Sequence, residues 1–337
     1  MNVAVLAHER FPDRAKTAVG VLRYAEYDVT AVLDRDCAGE RVSDHLSDGQ
    51  DAPIVAGIDD VPHPVDALVV GVAPVGGDFD ESWRPDVRRA IKRGCDVLSG
   101  LHYFFGDDEE FTTLADEHGA ELRDLRRPLE DCTVSEGRAH EVDAEVVLTV
   151  GTDCSTGKMT TSAELVAAAR ERGLDAALVP TGQTGVLLAN WGVVVDRVPS
   201  DFVAGAVERM VRERGDDHDL LVVEGQGSVV HPAYSAVTCG ILHGAMPDAL
   251  VCCHEAGREA IHGYESVEIP PLSEVAALYE DLAAPVADTT VAAGSLDTSG
   301  LDDADANRAV IEYATAIDAP ATDPVRFGAG ELLDALD

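Results

Sequence analysis

Residues 144–161 read AEVVLTVGTDCSTGKMTT, and the fold turns on them. The first seven form a continuous apolar run of strand length. Gly151 to Lys158 follow as a loop with a glycine near each end. MTTSAELVAAARERG (159–173) then has helical periodicity and closes in glycine. Strand, glycine loop and helix in that order are the setting of a phosphate-binding loop. The glycines let backbone N–H groups converge on phosphate oxygens, and the helix N-terminus adds a favourable dipole. Lys158 adds a compact positive charge that arginine does not replace at a phosphate. A plain glycine-rich turn is the competing reading, and the flanking strand and helix weigh against it. Two features depart from the usual G-x-x-x-x-G-K-[ST] spacing. Five residues separate Gly151 from Gly157, and Met159 stands where a hydroxyl would hold Mg²⁺.

The rest of the second half repeats the alternation. Strands are predicted at 176–181, 219–225, 249–253 and 288–294, separated by helical stretches. This implies a parallel sheet with ligands at the carboxyl ends of its strands. In the first half, strands are predicted at 2–7, 28–34, 66–73 and 96–101. Helices are predicted in AKTAVGVLRYA (15–25), RPDVRRAIKRG (84–94) and DDEEFTTLADEHG (107–119). The expected organisation is an α/β domain at 1–130, a polar linker at 131–143, and a second parallel-sheet domain at 144–337. A length of 337 residues suits two cores, and a hydrophobic share of 46% can fill them.

Charge narrows the function. The net charge is −38, with three lysines (Lys16, Lys92, Lys158) among the 25 basic residues. That composition fits a halophilic protein. At 1 M salt the Debye length falls to roughly 3 Å, and the self-repulsion of such a surface is screened. So acidic a surface disfavours nucleic acid as a partner. The opening MNVAVLAHERF lacks the charged and long apolar regions of a signal peptide, and no apolar run reaches membrane-spanning length. No membrane association is expected, and a cytoplasmic location is. The seven cysteines include no C-x-x-C pair, so free thiols are expected rather than a metal site.

GTDCSTGK is similar to the loop of dethiobiotin synthetase. Over nearly its whole length the chain resembles a P-loop family formerly of unknown function, of the DUF1611 type, that includes D-glutamate N-acetyltransferases. The resemblance rests on AKTAVGVLRY with AVLDRDCAG, on SGLHYFFGDD, GTDCSTGKMTT, PTGQTG and VVEGQGS, and on DTSGL with ATDPVRFG. It implies a Rossmann-like N-terminal domain and a P-loop NTPase-like C-terminal domain. For the acetyltransferase members it implies acetyl-CoA as donor and an acidic D-amino acid as acceptor.

Candidate site residues follow. Gly151, Thr152, Asp153, Cys154, Ser155, Thr156, Gly157, Lys158, Met159 and Thr160 would bind the phosphates of a nucleotide or of coenzyme A. Phosphoryl transfer needs Mg²⁺ between the phosphates, whereas acyl transfer leaves them intact. On the loop alone the two readings balance, since a local shift would let Thr160 or Thr161 take over the metal; the resemblance favours coenzyme A. Glu224, ending the apolar run DLLVV, is the first candidate for the base that deprotonates an acceptor amine. His231, Asp201 and His254 are weaker candidates, and Asp196 accompanies Asp201. Thr181, Gln183 and Thr184 in VPTGQTG would line the acceptor pocket. Arg326 would bind its carboxylate through a bidentate pair. GVAPVGG (71–77), and Lys16 with Thr17 and Gly20, are candidate ligand contacts of the first domain. No metal and no tightly bound cofactor are expected, acetyl-CoA being a cosubstrate. A homo-oligomer acting on small molecules is expected. An ATP- and Mg²⁺-dependent ligase or kinase, and a nucleotide-binding regulatory protein without turnover, are the alternatives.

The charge makes a direct prediction. Lowering salt from molar to about 0.1 M stretches the Debye length to about 10 Å, so repulsion spreads across the surface. Circular dichroism and thermal melts across that range should show loss of structure at the low end. Unchanged folding there would end the halophilic reading.

Overall fold

The computed structural model is described over residues 1–73 and 77–336. Contacts divide the chain into two units. Met1–Pro128 with Val186–Trp191 form the first; Leu129–Gly185 and the chain from Gly192 onward form the second.

The first unit is a parallel α/β sheet. Its strands are β1 (Asn2–Leu6), β2 (Asp28–Leu33), β3 (Ile54–Val55), β4 (Ala67–Val70), β5 (Asp96–Ser99) and β6 (Leu122–Asp124). They are ordered β3-β2-β1-β4-β5-β6, a Rossmann-like arrangement. The helices are α1 (Lys16–Tyr24), α2 (Arg84–Lys92) and α3 (Glu109–His118). The central strands read as unbroken apolar runs because both sheet faces are covered. Asp34, at the end of β2, is fully buried. It accepts hydrogen bonds from the amides of Arg10, Phe11, Asp36 and Cys37 and so fixes the loops around it. Lys16 is exposed, with Thr17 and Gly20 buried in the same helix. Residues 74–76 of the 71–77 stretch lie outside the described residues.

The second unit carries β7 (Glu145–Gly151), α4 (Lys158–Glu171), β8 (Ala176–Val179), the start of α5 (Gln183–Ala189), α6 (Val203–Arg214) and β9 (Leu220–Val223). It continues through α7 (Ser235–Ala245), β10 (Ala249–Glu255), β11 (Ala260–Ile261), β12 (Tyr264–Glu268) and α8 (Leu272–Ala283). It ends with β13 (Thr290–Asp297), α9 (Asp303–Ile317), β14 (Ala321–Thr322) and α10 (Gly330–Asp334). The main sheet is parallel and ordered β14-β13-β10-β7-β9-β8, so β7 is central. The carboxyl ends of β7, β10 and β13 are in register: Cys253 pairs with Gly151 on one side and with Ser295 on the other. β11 and β12 form a separate antiparallel hairpin after β10. Among the described residues, no helix is long and apolar enough to cross a membrane.

The stretch expected as a linker, 131–143, is docked on α6. Glu208 of α6 is 3% exposed. Its carboxylate accepts from the amides of Glu136 (2.7 Å), Gly137 (3.2 Å) and Arg138 (2.9 Å), and from the Ser135 hydroxyl. At Gly205 in the same helix a Cβ would sit 2.0 Å from the Thr133 carbonyl oxygen, so only glycine allows this approach. Burial acts to raise the Glu208 pKa, but the Ser135 and backbone hydrogen bonds outweigh it and hold the carboxyl below its ordinary value of 4.5.

That carboxylate sets a pH-dependent prediction. A group more acidic in the folded than in the unfolded chain contributes fully above its unfolded pKa and loses that contribution as pH falls through the folded value. Hydrogen bonds to a charged group are worth about 1.5–3 kcal/mol. Urea melts in high salt should show Glu208→Gln destabilised by about 2–3 kcal/mol at pH 7. The gap should narrow as pH drops below 4.5.

Candidate functional site

The loop between β7 and α4 is built by its glycines and by two left-handed turns. Ser155 has φ 56° and Gly157 φ 91°; the strain at Ser155 is that of a loop held by its surroundings. At Gly151 a Cβ would meet Thr156 Oγ1 at 2.6 Å and Lys158 Nζ at 2.9 Å, so a side chain would displace the lysine. Gly225 faces the loop from the end of β9. A Cβ there would lie 1.8 Å from the Thr149 carbonyl oxygen and 3.3 Å from Lys158 Cδ.

Lys158 is buried, and its Nζ donates to the Asp153 carbonyl oxygen at 2.7 Å. Burial pushes its pKa down, partly opposed by neighbouring acidic groups. The thiols beneath it offer no negative charge. Burial raises Cys252 to about 12 and Cys253 to about 11, so both are neutral. Tyr279 of α8 braces the loop from below. Its hydroxyl donates to the Gly151 carbonyl oxygen at 2.7 Å and accepts from the Val229 amide at 3.2 Å. Above the sheet edge, Thr152 N–H donates to the Cys253 carbonyl oxygen at 3.0 Å. Thr152 Oγ1 lies 2.7 Å from His254 Nδ1.

Asp153 is the hub. It is fully buried. Oδ1 accepts from the Cys154 amide at 2.6 Å, and Oδ2 accepts from the His262 amide at 2.7 Å and from Arg258 Nη1 at 3.2 Å. Arg258 Nη1 also donates to the Cys154 carbonyl oxygen at 2.7 Å, and Nη2 pairs with Glu255. The aspartate of the loop therefore pins both an arginine and the β11–β12 hairpin.

Glu224 reaches the same edge from β9 and is 3% exposed. Its carboxylate accepts from the Thr181 amide (3.2 Å), the Gly182 amide (3.0 Å) and Gln226 Nε2 (2.9 Å). The Thr181 hydroxyl donates to the Glu224 carbonyl oxygen. Thr181 is thus held directly by Glu224, and Gln183 and Thr184 open α5 beside it. A Cβ at Gly185 would lie 2.3 Å from Glu224 Oε2, so the loop after β8 wraps closely around this acid.

His231 is buried, with Nε2 3.9 Å from Asp153 Oδ1 and Nδ1 accepting from the Ala233 amide at 3.1 Å. That amide fixes the tautomer: in the neutral ring Nε2 carries the hydrogen. Burial lowers its pKa, which keeps the ring neutral. As arranged, His231 can donate towards Asp153 but offers it no lone pair for proton abstraction. Tyr234 and Tyr264 pack on the ring, with centroids 4.6 Å and 5.2 Å away.

Asp153, Cys154 and His231 bring possible metal-donor atoms within 4.8 Å of one another. The set does not suit a cation, because Arg258 already neutralises Asp153 and a metal on Nε2 would need Nδ1 to be a donor. Asp201 is exposed in the turn before α6. Arg326 pairs with Asp303 at 2.8 Å and donates to the carbonyl oxygens of Thr298 (3.1 Å) and Leu301 (2.8 Å), stapling the loop after β13. Arg258 and Tyr279 escape sequence reasoning because they meet the loop from more than a hundred residues away. Nothing in HEAGREAIHG marks its arginine as a partner of the loop.

Comparison with known proteins follows the same two-part division. The family model described as "Domain of unknown function (DUF1611_C) P-loop domain" matches residues 133–333. Its "Domain of unknown function (DUF1611_N) Rossmann-like domain" counterpart matches residues 35–128. The chain is 38% identical over 275 residues to a D-glutamate N-acetyltransferase of Tritonibacter scottomollicae, covering 80% of each chain. It is 34% identical over 269 residues to a D-glutamate N-acetyltransferase of a Pseudoalteromonas species, covering 79% of this chain and 80% of that one. The crystal structure of a DUF1611 family protein from Anabaena variabilis superposes with a TM-score of 0.94 at 37% identity, covering 99% of this chain and 98% of that one.

The His254 contact gives this site a measurable pH signature. Burial, aided by the Arg258 charge, lowers its pKa from 6.5 to about 4. A histidine whose folded pKa is depressed binds fewer protons than in the unfolded chain, so stability falls as pH drops from 6.5 towards 4. Histidine NMR titration in high salt should find His254 unprotonated at pH 5.5. A His254 that titrates near its ordinary value would contradict the buried pairing with Thr152.

Proposed function

The chain belongs to the DUF1611 family, and from that premise we propose that it is an N-acetyltransferase moving acetyl from acetyl-CoA to the amine of an acidic D-amino acid, D-glutamate first. The observation that carries this reading is the 38% identity, across 80% of both chains, to a D-glutamate N-acetyltransferase. The loop chemistry supports it. Coenzyme A carries phosphates that acyl transfer leaves uncleaved, so a cradle of backbone N–H groups and Lys158 suffices. Phosphoryl transfer asks for a metal-holding hydroxyl after the lysine, and Met159 is there instead.

In this reading the α4 N-terminus and Lys158 hold the phosphates and so fix the thioester at the sheet edge. The acceptor arrives as an ammonium and must lose a proton before it attacks. Glu224 is the base, its carboxylate held in place by the Thr181 and Gly182 amides and by Gln226. The tautomer of His231 makes it the poorer choice. The freed amine attacks the thioester carbonyl and the N–C bond forms; as the C–S bond breaks, the nitrogen's second proton passes to the departing sulfur, and coenzyme A leaves as the free thiol.

The test follows free thiol release from acetyl-CoA in molar salt with EDTA and no ATP. D-glutamate, L-glutamate and D-aspartate are supplied separately. Acceptor-dependent release, lost in Glu224→Gln, is expected. Lys158→Ala should fold and bind coenzyme A about ten- to a hundredfold more weakly, as the loss of a charged hydrogen bond implies. Mg²⁺-dependent ADP release from ATP, without thiol release, would overturn the proposal in favour of a ligase or kinase.

A further inference from the structure

The P-loop fold implies Mg²⁺, held by the hydroxyl after the loop lysine and by an acid at the end of a neighbouring strand. The residues standing in those two positions do not fit that ion. Mg²⁺ takes hard oxygen ligands in octahedral geometry, and Met159 offers a soft thioether. The Thr161 hydroxyl is bonded to Ser295 Oγ at 2.7 Å and accepts from the Cys253 thiol, deep in the sheet. The Glu224 carboxylate is turned to the amides of Thr181 and Gly182. The carboxylate of the loop itself, Asp153, already faces a guanidinium at 3.2 Å.

That guanidinium is built into the loop. Arg258 makes three hydrogen bonds there: to Asp153, to the Cys154 carbonyl oxygen and to Glu255. An arginine has five N–H donors and stays protonated. Two of them, Nε–H and one on Nη2, have no acceptor among the described residues. The side chain is 15% exposed, and its bonds to Asp153 and to the Cys154 carbonyl oxygen set it beside the phosphate cradle. Two carboxylates, Asp153 and Glu255, hold its plane from the side.

We propose that Arg258 binds the phosphates in this loop through its two remaining N–H donors, so that the loop holds them without Mg²⁺. A planar guanidinium pairs with phosphate oxygens through two parallel hydrogen bonds, a contact that ammonium does not reproduce. Lys158 then acts from inside the loop and Arg258 from its rim. Polyphosphate binding is independent of divalent cations. The inference rests on the reading above for the identity of the ligand, coenzyme A, but not for the geometry.

The experiment is calorimetric titration of the full-length protein in molar KCl with coenzyme A, ADP and inorganic pyrophosphate, each in EDTA and in Mg²⁺. Wild type should bind coenzyme A with the same affinity in both. Arg258→Gln should lose about ten- to a hundredfold, and Arg258→Lys should recover part of it. Thermal melts of the unliganded variants show whether each is folded. Native-like affinity in a folded Arg258→Gln overturns the proposal. So does wild-type binding that requires Mg²⁺, a comparison that needs no variant. Arg258-dependent, Mg²⁺-indifferent binding of ADP or pyrophosphate, with coenzyme A ignored, would leave Arg258 in its role and remove the acetyl-CoA reading instead.

Discussion

The parallel register of β10 against β7 is the constraint on which the site depends. It sets Cys253 beside Gly151, and the Cys253 carbonyl oxygen takes the Thr152 amide at 3.0 Å. One residue further, His254 meets the Thr152 hydroxyl. Four beyond that, Arg258 meets Asp153 and Cys154, and the following hairpin delivers the His262 amide to the same aspartate. A slip of one residue would turn every side chain of β10 to the opposite face and undo these contacts. The loop is thus fixed at one end by its own helix and along its flank by the strand next to it.

This explains what the sequence could disclose. The run AEVVLTV, the glycine loop and α4 are contiguous, so their order and spacing carry the motif. The parallel strands were legible for the same reason: burial on both faces leaves unbroken apolar runs such as LLVV in β9. Short edge strands were not. β3 and β14 are two residues each, too few for any period to show. The β11–β12 hairpin was missed because YESVE is almost wholly exposed, so no apolar alternation marks it. The 131–143 segment reads as polar because its amides bind a single buried carboxylate rather than a strand partner. Glu224 could be singled out as an acid at a strand end, but its grip on Thr181 and Gly182 exists only in three dimensions. Arg326 misled for the opposite reason. Its distinctive setting, DPVRFG, reflects a staple across the loop after β13.

The electrostatics of the loop follow from what surrounds Lys158. Desolvation disfavours its charge, and a buried cation needs an anion close by. The two thiols below it are neutral. The nearby carboxylate, Asp153, is shared with Arg258, and among the described residues Lys158 Nζ donates only to the Asp153 carbonyl oxygen and, at 3.5 Å, to the Thr156 hydroxyl. A dianionic group in the cradle would supply the missing charge.

The acidic surface and the anion-binding loop pull in opposite directions. A chain of net charge −38 repels anions at long range, and the proposed substrates, coenzyme A and glutamate, are both anions. Of its three lysines, Lys16 and Lys92 are exposed and Lys158 alone is buried. In molar salt the repulsion dies away within roughly 3 Å, while hydrogen bonds and ion pairs made at contact inside the buried cradle are screened far less. On the halophilic expectation, the screening that would keep so acidic a surface folded would also let an anion reach the loop, where short-range contacts would decide whether it stays.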